Sequence, residues 1–315
     1  MKTLTRCLRG RRHILRREPC EDRFAVLPLP GGLAAAVADG HGDARCTRAG
    51  FGARVACASA LRALADPALP PEELASVIRR RYESLCRRHL ARHPLTEREQ
   101  GLLAGLDPLY ACGTTLACAR TDAGGTTLLQ IGDSEVLALR PDGRAFPALP
   151  ADPDCAGGVT SSLADPAAAA RFAHYDLPAA ALLLFTDGYG YRGSLPSALL
   201  DLLKAPLPAV LPADILDRGE HGDDQTVLLA ADEAVCAGEG FRRGLADLLD
   251  RLAAEEQLRA LRQEQREVMA YLRLAWRALL EREEEEQLRL FPRVQEQLQR
   301  LQALDAGIGG LSARL

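Results

Sequence analysis

Residues 24–42 read Phe-Ala-Val-Leu-Pro-Leu-Pro-Gly-Gly-Leu-Ala-Ala-Ala-Val-Ala-Asp-Gly-His-Gly. Two apolar runs, Phe24–Leu29 and Leu33–Ala38, flank Pro30-Gly-Gly32, which predicts a β-hairpin. Two further hairpins are expected downstream. Thr114–Ala119 and Thr126–Ile131 flank Asp122-Ala-Gly-Gly125, and Glu135–Leu139 and Arg144–Phe146 flank Pro141-Asp-Gly143. Leu182–Phe185 and Thr226–Leu229 read as short, fully buried strands. Helices are expected near 45–64, 71–91 and 195–204, the second opening on Pro70-Pro-Glu-Glu73. Hairpins with a few helices indicate an antiparallel α+β fold and argue against a βαβ repeat.

The first hairpin ends in an acid, Asp39, set before Gly40 and His41. The same arrangement recurs at Gly132-Asp133-Ser134 and at Thr186-Asp187-Gly188. Asp223-Asp224 opens a strand, and Glu21-Asp22 precedes the first hairpin. Asp-Gly is also a common turn dipeptide, which is the bland alternative for any one of these. Several carboxylates converging at strand ends would repel one another unless a cation neutralised them. Oxygen donors with few His or Cys suit Mg²⁺ or Mn²⁺ and not zinc.

The order of these elements resembles the metal-dependent type-2C family of Ser/Thr protein phosphatases. The matching stretches are Arg17-x-x-x-Glu21-Asp22, Asp39-Gly-His-Gly42, Gly113-Thr-Thr115, Gly132-Asp-Ser134, Thr186-Asp-Gly188 and Asp223-Asp-Gln-Thr226. The resemblance covers about residues 8–230, and Gly10-x-x-His13 with Pro19-Cys-Glu-Asp22 is most similar to a bacterial stand-alone branch. It implies two antiparallel sheets in a β-sandwich flanked by helices, with a two-metal site at one end. It further implies that Asp39 bridges two Mn²⁺ or Mg²⁺ ions and that the Gly40 carbonyl holds one. Asp187 and Asp223 would hold the other, and Glu21 would act through water. Asp133, with Asp187, matches a third, weaker ion in some members. Arg17 matches a phosphate-binding Arg and His41 a general acid. Arg17 also fits a solvated basic arm with Arg11, Arg12 and Arg16, and His41 also fits a simple turn role.

The implied activity is hydrolysis of phosphoserine and phosphothreonine in proteins by a two-metal-activated water, in signalling opposite a Ser/Thr kinase. The alternative is a catalytically silent phosphatase-like protein that binds a phosphoprotein, or a partner through its helical tail. Retention of Asp39, Asp187 and Asp223 favours the enzyme. Asp43 and Asp224 depart from common family residues, and 151–162 falls in a variable flap, so substrate choice is not inherited.

Composition sets the outer bounds. The 315 residues are 47% hydrophobic and 26% charged, a globular balance. With a net charge of −4 and 4% aromatics, no nucleic-acid partner is expected. Lys occurs only at Lys2 and Lys204, so Arg supplies nearly all the basic charge, as codon bias would produce. The longest purely apolar run, Ala179–Phe185, is far short of the roughly 20 residues of a membrane span. No membrane partner and no secretory signal are expected. Nine cysteines, an odd number without C-x-x-C, indicate neither a disulfide framework nor a zinc site, and a cytoplasmic protein with reduced thiols is expected.

Two regions are expected: a phosphatase-like domain over 1–235, and a helical region over 241–315 past a hinge at 236–240. Leu258, Leu261, Val268, Leu272, Ala275 and Leu279 form a three-four stripe, with Gln265 as a polar register residue. The acid run Glu281–Glu286 interrupts it, and Val294, Leu298, Leu301 and Ile308 resume it beyond Pro292. A helical hairpin broken at Pro292, or a coiled coil, would bury this stripe and serve homo- or hetero-oligomerisation.

Overall fold

A computed structural model describes residues 1–152, 154–155, 160–190, 197–212, 215, 222–280 and 284–313. Two antiparallel sheets carry the first part of the chain. One contains β2 (Arg23–Leu29), β3 (Gly32–Ala38), β4 (Leu116–Asp122), β5 (Gly125–Ile131) and β7 (Arg171–Tyr175), adjacent in that order. The other runs β1 (Lys2–Leu8), β9 (Gln225–Ala231), β8 (Ala181–Phe185), β6 (Glu135–Leu139). The architecture is the α+β sandwich that the family resemblance implied.

The Ala-rich strand β3 shows why the layers are thin and dry. Leu33, Ala35 and Val37 face the inter-sheet core with Ala117, Ala119, Leu128, Leu182, Leu184 and Leu228. Ala34, Ala36 and Ala38 face helices α2 (Ala49–Leu64) and α3 (Leu74–Arg92), against Ala53, Ala56 and Ile78. A strand buried on both faces loses the polar alternation of a half-exposed one. Small side chains let α2 lie close.

Several local expectations meet the structure directly. The first two hairpins and β6, β8 and β9 lie where the apolar runs put them. Arg144–Phe146 does not form a strand; only Ala145 bridges Leu139. Two strands escape the sequence pattern. In β1 only Leu4 is fully buried, so the segment looks like a polar arm until it pairs along its whole length with β9, Lys2 opposite Ala231. In β7 the short run Arg-Phe-Ala-His-Tyr pairs with β5. Short helices α1 (Arg11–Arg16) and α4 (Glu97–Leu103) were likewise not anticipated; Thr96 and Glu99 close a capping box on α4.

The described chain divides into two compact units, and the first runs to Ala246. It therefore takes in the start of α8 (Glu239–Leu280), where Phe241 and Leu245 are fully buried and the Phe241 backbone lies against Gly143. The first unit thus extends past the hinge expected at 236–240. The second unit contains the rest of α8 and α9 (Glu284–Ser312). These two helices run antiparallel: Arg300 pairs with Glu264 at 2.6 Å, and Gln265 donates to Asp305 at 2.6 Å. Leu258, Val268 and Leu279 are buried, as the stripe requires. Pro292 lies inside α9 and does not break it. The helices are described to Leu280 and from Glu284, with Pro292 two turns into the second. On α9 the inner face is Val294, Leu301, Leu304 and Ile308, whereas Leu298 is exposed. Among the described residues no helix is long and apolar enough to cross a membrane.

Candidate active site

Strand register gathers the acids at one end of the sandwich. Arg23 at the start of β2 pairs with Ala38 at the end of β3, so Glu21-Asp22 and Asp39 meet. Phe185 at the end of β8 pairs with both Val227 and Glu135, which brings Asp187, Asp223-Asp224 and Asp133 to the same edge. Leu8 opposite Gln225 adds α1.

The quoted threonines and serine frame Asp39. The Asp39 carbonyl accepts from Thr114 Oγ1 at 2.7 Å and from the Thr115 amide at 2.9 Å, while the Asp39 amide donates to Thr115 Oγ1 at 3.1 Å. Thr115 Oγ1 in turn lies 2.6 Å from Ser134 Oγ. The His41 amide donates to the Gly113 carbonyl, so the ladder bonds here use Asp39 and His41 and leave the Gly40 carbonyl out of the ladder. Two glycines are required by geometry. Gly132 turns at φ +82°, and a Cβ on Gly188 would collide with the Asp224 carbonyl.

The acids separate into two groups. The first is Asp22, Asp39, Asp187 and Asp133. Asp39 lies against both Asp22 and Asp187, and like charges this close disfavour ionisation. Burial, then the charges of Asp22 and Asp187, push Asp39 well above the usual range. Burial drives Asp22 up to about 8, although Thr186 Oγ1 donates to it at 2.7 Å. Burial and the neighbouring Asp187 raise Asp133 to about 6. One buried oxygen on each of Asp22 and Asp187 has no hydrogen-bond partner.

The second group is Asp224, Glu21, Asp223, His13 and Arg12. Asp224 accepts from the Gly10 amide and the Glu21 amide, each at 2.6 Å, and its Oδ1 lies 2.9 Å from His13 Nδ1. Burial works against this carboxylate, but those three partners hold it below the usual range. The buried His13 ring loses by burial and gains more from Asp224, Glu21 and Asp223, so its pKa rises. Glu21 lies 3.7 Å from His13 Nε2 and is pushed by burial to about 7. Asp223 pairs with Arg12 at 2.9 Å.

The structure therefore brings Asp39, Asp187 and Asp133 together, with Glu21 and Asp223 in the adjoining group. The Arg17 side chain is exposed and makes no hydrogen bond or ion pair with the described residues. His41 Nε2 is buried without a partner, and burial lowers the ring to about 4, so it is neutral near pH 7. Asp22, quoted above only as the neighbour of Glu21, is fully buried in the first group. His13 and Arg12 were missed as site residues. Gly10-x-x-His13 was the available signal for the first, and the Arg run concealed the second.

The first group fits a hard divalent cation. Its donors are oxygens, two of them unpartnered, and a cation would offset the repulsion between the carboxylates. Among the described residues no three acid, His or Cys side chains already form a cage around one point.

The sequence pattern of protein phosphatase 2C matches residues 9–211, and the chain belongs to that family. No curated protein matches it. A bacterial serine phosphatase bearing an Arg-to-Glu mutation shares the fold at 17% identity and TM-score 0.50, over 74% of this chain and 99% of that one. The S. agalactiae serine/threonine phosphatase is similar at 16% identity and TM-score 0.49, over 73% and 99%. The catalytic domain of the serine threonine protein phosphatase PstP, in complex with two manganese ions, is similar at 20% and 0.46, over 73% and 97%.

Proposed function

We propose that the first unit hydrolyses phosphoserine and phosphothreonine esters in proteins, with Mn²⁺ or Mg²⁺ as cofactor and a Ser/Thr kinase supplying its substrates. The observation that carries this is the Asp22–Asp39–Asp187 group, in which neighbouring charge and burial raise Asp39 and one buried oxygen on each of Asp22 and Asp187 has no partner. Carboxylates so placed disfavour ionisation until a cation arrives. Membership of the protein phosphatase 2C family supports the same chemistry.

Asp39 would hold two ions together with the Gly40 carbonyl, Asp187 and Asp223; Asp133 would serve a third, and Glu21 would orient water. Bound ions of this kind supply Lewis acidity and an activated water for in-line attack on phosphorus. His41, neutral and beside Asp39, would offer the leaving oxygen an N–H from Nε2. No cysteine is used; Cys20 adjoins Glu21, but it faces Cys7 with the sulfurs 3.2 Å apart.

The test is release of phosphate from a phosphoserine peptide with Mn²⁺, with chelator, and with Mn²⁺ restored. Turnover that follows the metal is expected. A folded chain that binds Mn²⁺ and cleaves no phosphoserine or phosphothreonine peptide would overturn the proposal in favour of a silent binding protein.

A further inference from the structure

Cys7 and Cys20 differ from the other cysteines of the chain. Their sulfurs lie 3.2 Å apart, and they approach the Asp22 carbonyl at 3.8 and 3.9 Å. Both are half-buried, as is Cys155, whereas the remaining six are buried. Cys155 lies against Thr160 Oγ1 at 3.4 Å. Cys86 and Cys112 also interact, but both are fully buried. The Cys7–Cys20 pair thus joins sulfur–sulfur contact to access for a small solute.

We propose that this pair is a redox-modification site, at which hydrogen peroxide joins Cys7 to Cys20 in a disulfide that lowers the affinity of the adjoining acid site for Mn²⁺. The thiolate of one cysteine attacks a peroxide oxygen. The O–O bond breaks, a sulfenic acid forms, and the released hydroxide takes up a proton and leaves as water. The second thiolate attacks that sulfur, the S–O bond breaks, and a second water leaves. Two thiols are oxidised and one peroxide is reduced to two waters.

The consequence for the metal follows from where the two sulfurs are anchored. Cys7 is fixed in β1 by its pairing opposite Thr226 in β9. Cys20 lies outside any strand or helix, immediately before Glu21. Closing the sulfurs from 3.2 Å to the roughly 2.05 Å of a disulfide therefore moves the Cys20 side of the pair. That movement strains the 2.6 Å bond from the Glu21 amide to Asp224 Oδ2. It also removes both S–H groups from the Asp22 carbonyl. The ring so formed encloses α1, whose flanking Gly10 amide and His13 hold Asp224. Formation of the disulfide depends on the sulfurs alone, and its effect on Mn²⁺ rests on the metal-site reading above.

In the experiment, the metal-free chain is treated with hydrogen peroxide, cleared of it with catalase, capped at its free thiols and digested with trypsin without reduction. A linked pair of peptides, residues 7–9 with 18–23, is expected, and dithiothreitol should separate them. Calorimetry of the undigested chain should show Mn²⁺ affinity lowered about tenfold by peroxide, as when the groups behind metal ligands are disturbed. Reduction by dithiothreitol, followed by its removal, should restore it. Cys7→Ser and Cys20→Ser, each checked for fold by circular dichroism, should give no linked peptides and keep their Mn²⁺ affinity through peroxide. Absence of the linked peptides in the parent, their presence with Mn²⁺ affinity unchanged, or an equal loss of affinity in both serine variants would overturn the proposal. If the linked chain loses Mn²⁺ affinity as expected but the reduced parent cleaves no phosphopeptide, this proposal stands and the phosphatase proposal fails.

Discussion

The two acid groups share one end of the sandwich but solve the problem of buried charge in opposite ways. Asp22, Asp39, Asp187 and Asp133 have almost no cation among them, so burial raises Asp22 to about 8 and Asp133 to about 6. Asp224, a buried neighbour in space, is held low by two backbone amides and His13. The difference shows that burial alone does not mark a cation site. What marks it is burial without compensation, because an acid satisfied by fixed donors gains little from an added ion.

The sharpest way to break this comparison is to neutralise one member of the first group. Asp39→Asn or Asp187→Asn should lower metal-dependent turnover by more than about a thousandfold, beyond the loss usual for one transition-state donor. Metal-free Asp39→Asn should melt higher than the parent by a few degrees, about 2–4 °C per kcal/mol in a chain of this size. An amide carries no charge to repel Asp22 and Asp187 and can donate to either. A metal-free variant that melts lower would show that the first group is compensated after all.

The matching change in the second group has the opposite sign. Asp224→Asn replaces an acceptor oxygen by a donor, so the Gly10 or the Glu21 amide loses its partner. The chain should lose about 1–3 kcal/mol of stability by denaturant titration, with weaker Mn²⁺ binding as Glu21 loosens. Unchanged stability would remove Asp224 from its structural role.

The pH dependence of the metal-free chain separates the groups further. Asp22, Glu21 and Asp133 are raised, to about 8, 7 and 6, so the folded chain holds protons the unfolded chain has released. Stability from these groups is therefore full below their unfolded values and falls as pH rises from about 4 to 8. Asp224 is lowered, so its contribution is present above the unfolded value and fades only in acid. Melting temperature measured from pH 5 to 8 should fall without metal and flatten or reverse with Mn²⁺. A metal-free curve that rises over that range would contradict the raised carboxyls.

The smallest effect is expected from the tail. Both groups lie in the unit that ends at Ala246, so a chain ending there should keep Mn²⁺-dependent cleavage of p-nitrophenyl phosphate within about twofold. Ending at Glu239 should cost more, because it removes the buried Phe241 and Leu245. Equal loss in both truncations would tie the second unit to the chemistry.

How much of this was legible depends on the range of the cause. Asp39, Asp133 and Asp187 announced themselves because each follows a buried apolar run and sits in a turn, all within ten residues. Gln265 stood out as the polar break in an apolar stripe, and it does bond across to Asp305. The hairpin was placed at Pro292 because proline costs a helix an amide, but Pro292 lies inside α9.

The sequence by itself determined which residues end strands, where long amphipathic helices run, and that oxygen-rich acids recur at turns. Those are properties of side-chain period, turn chemistry and local propensity. Only the tertiary structure decided that β1 joins β9, since Lys2 and Ala231 find each other across nearly the whole first unit. The same closure placed Asp22 at the centre of the acids and gave Asp224 its amides from Gly10 and Glu21. It also set Arg12, one of several arginines in a row, against Asp223. Desolvation and charge pairing depend on which surfaces meet, and that is fixed by strand register between segments distant in the chain.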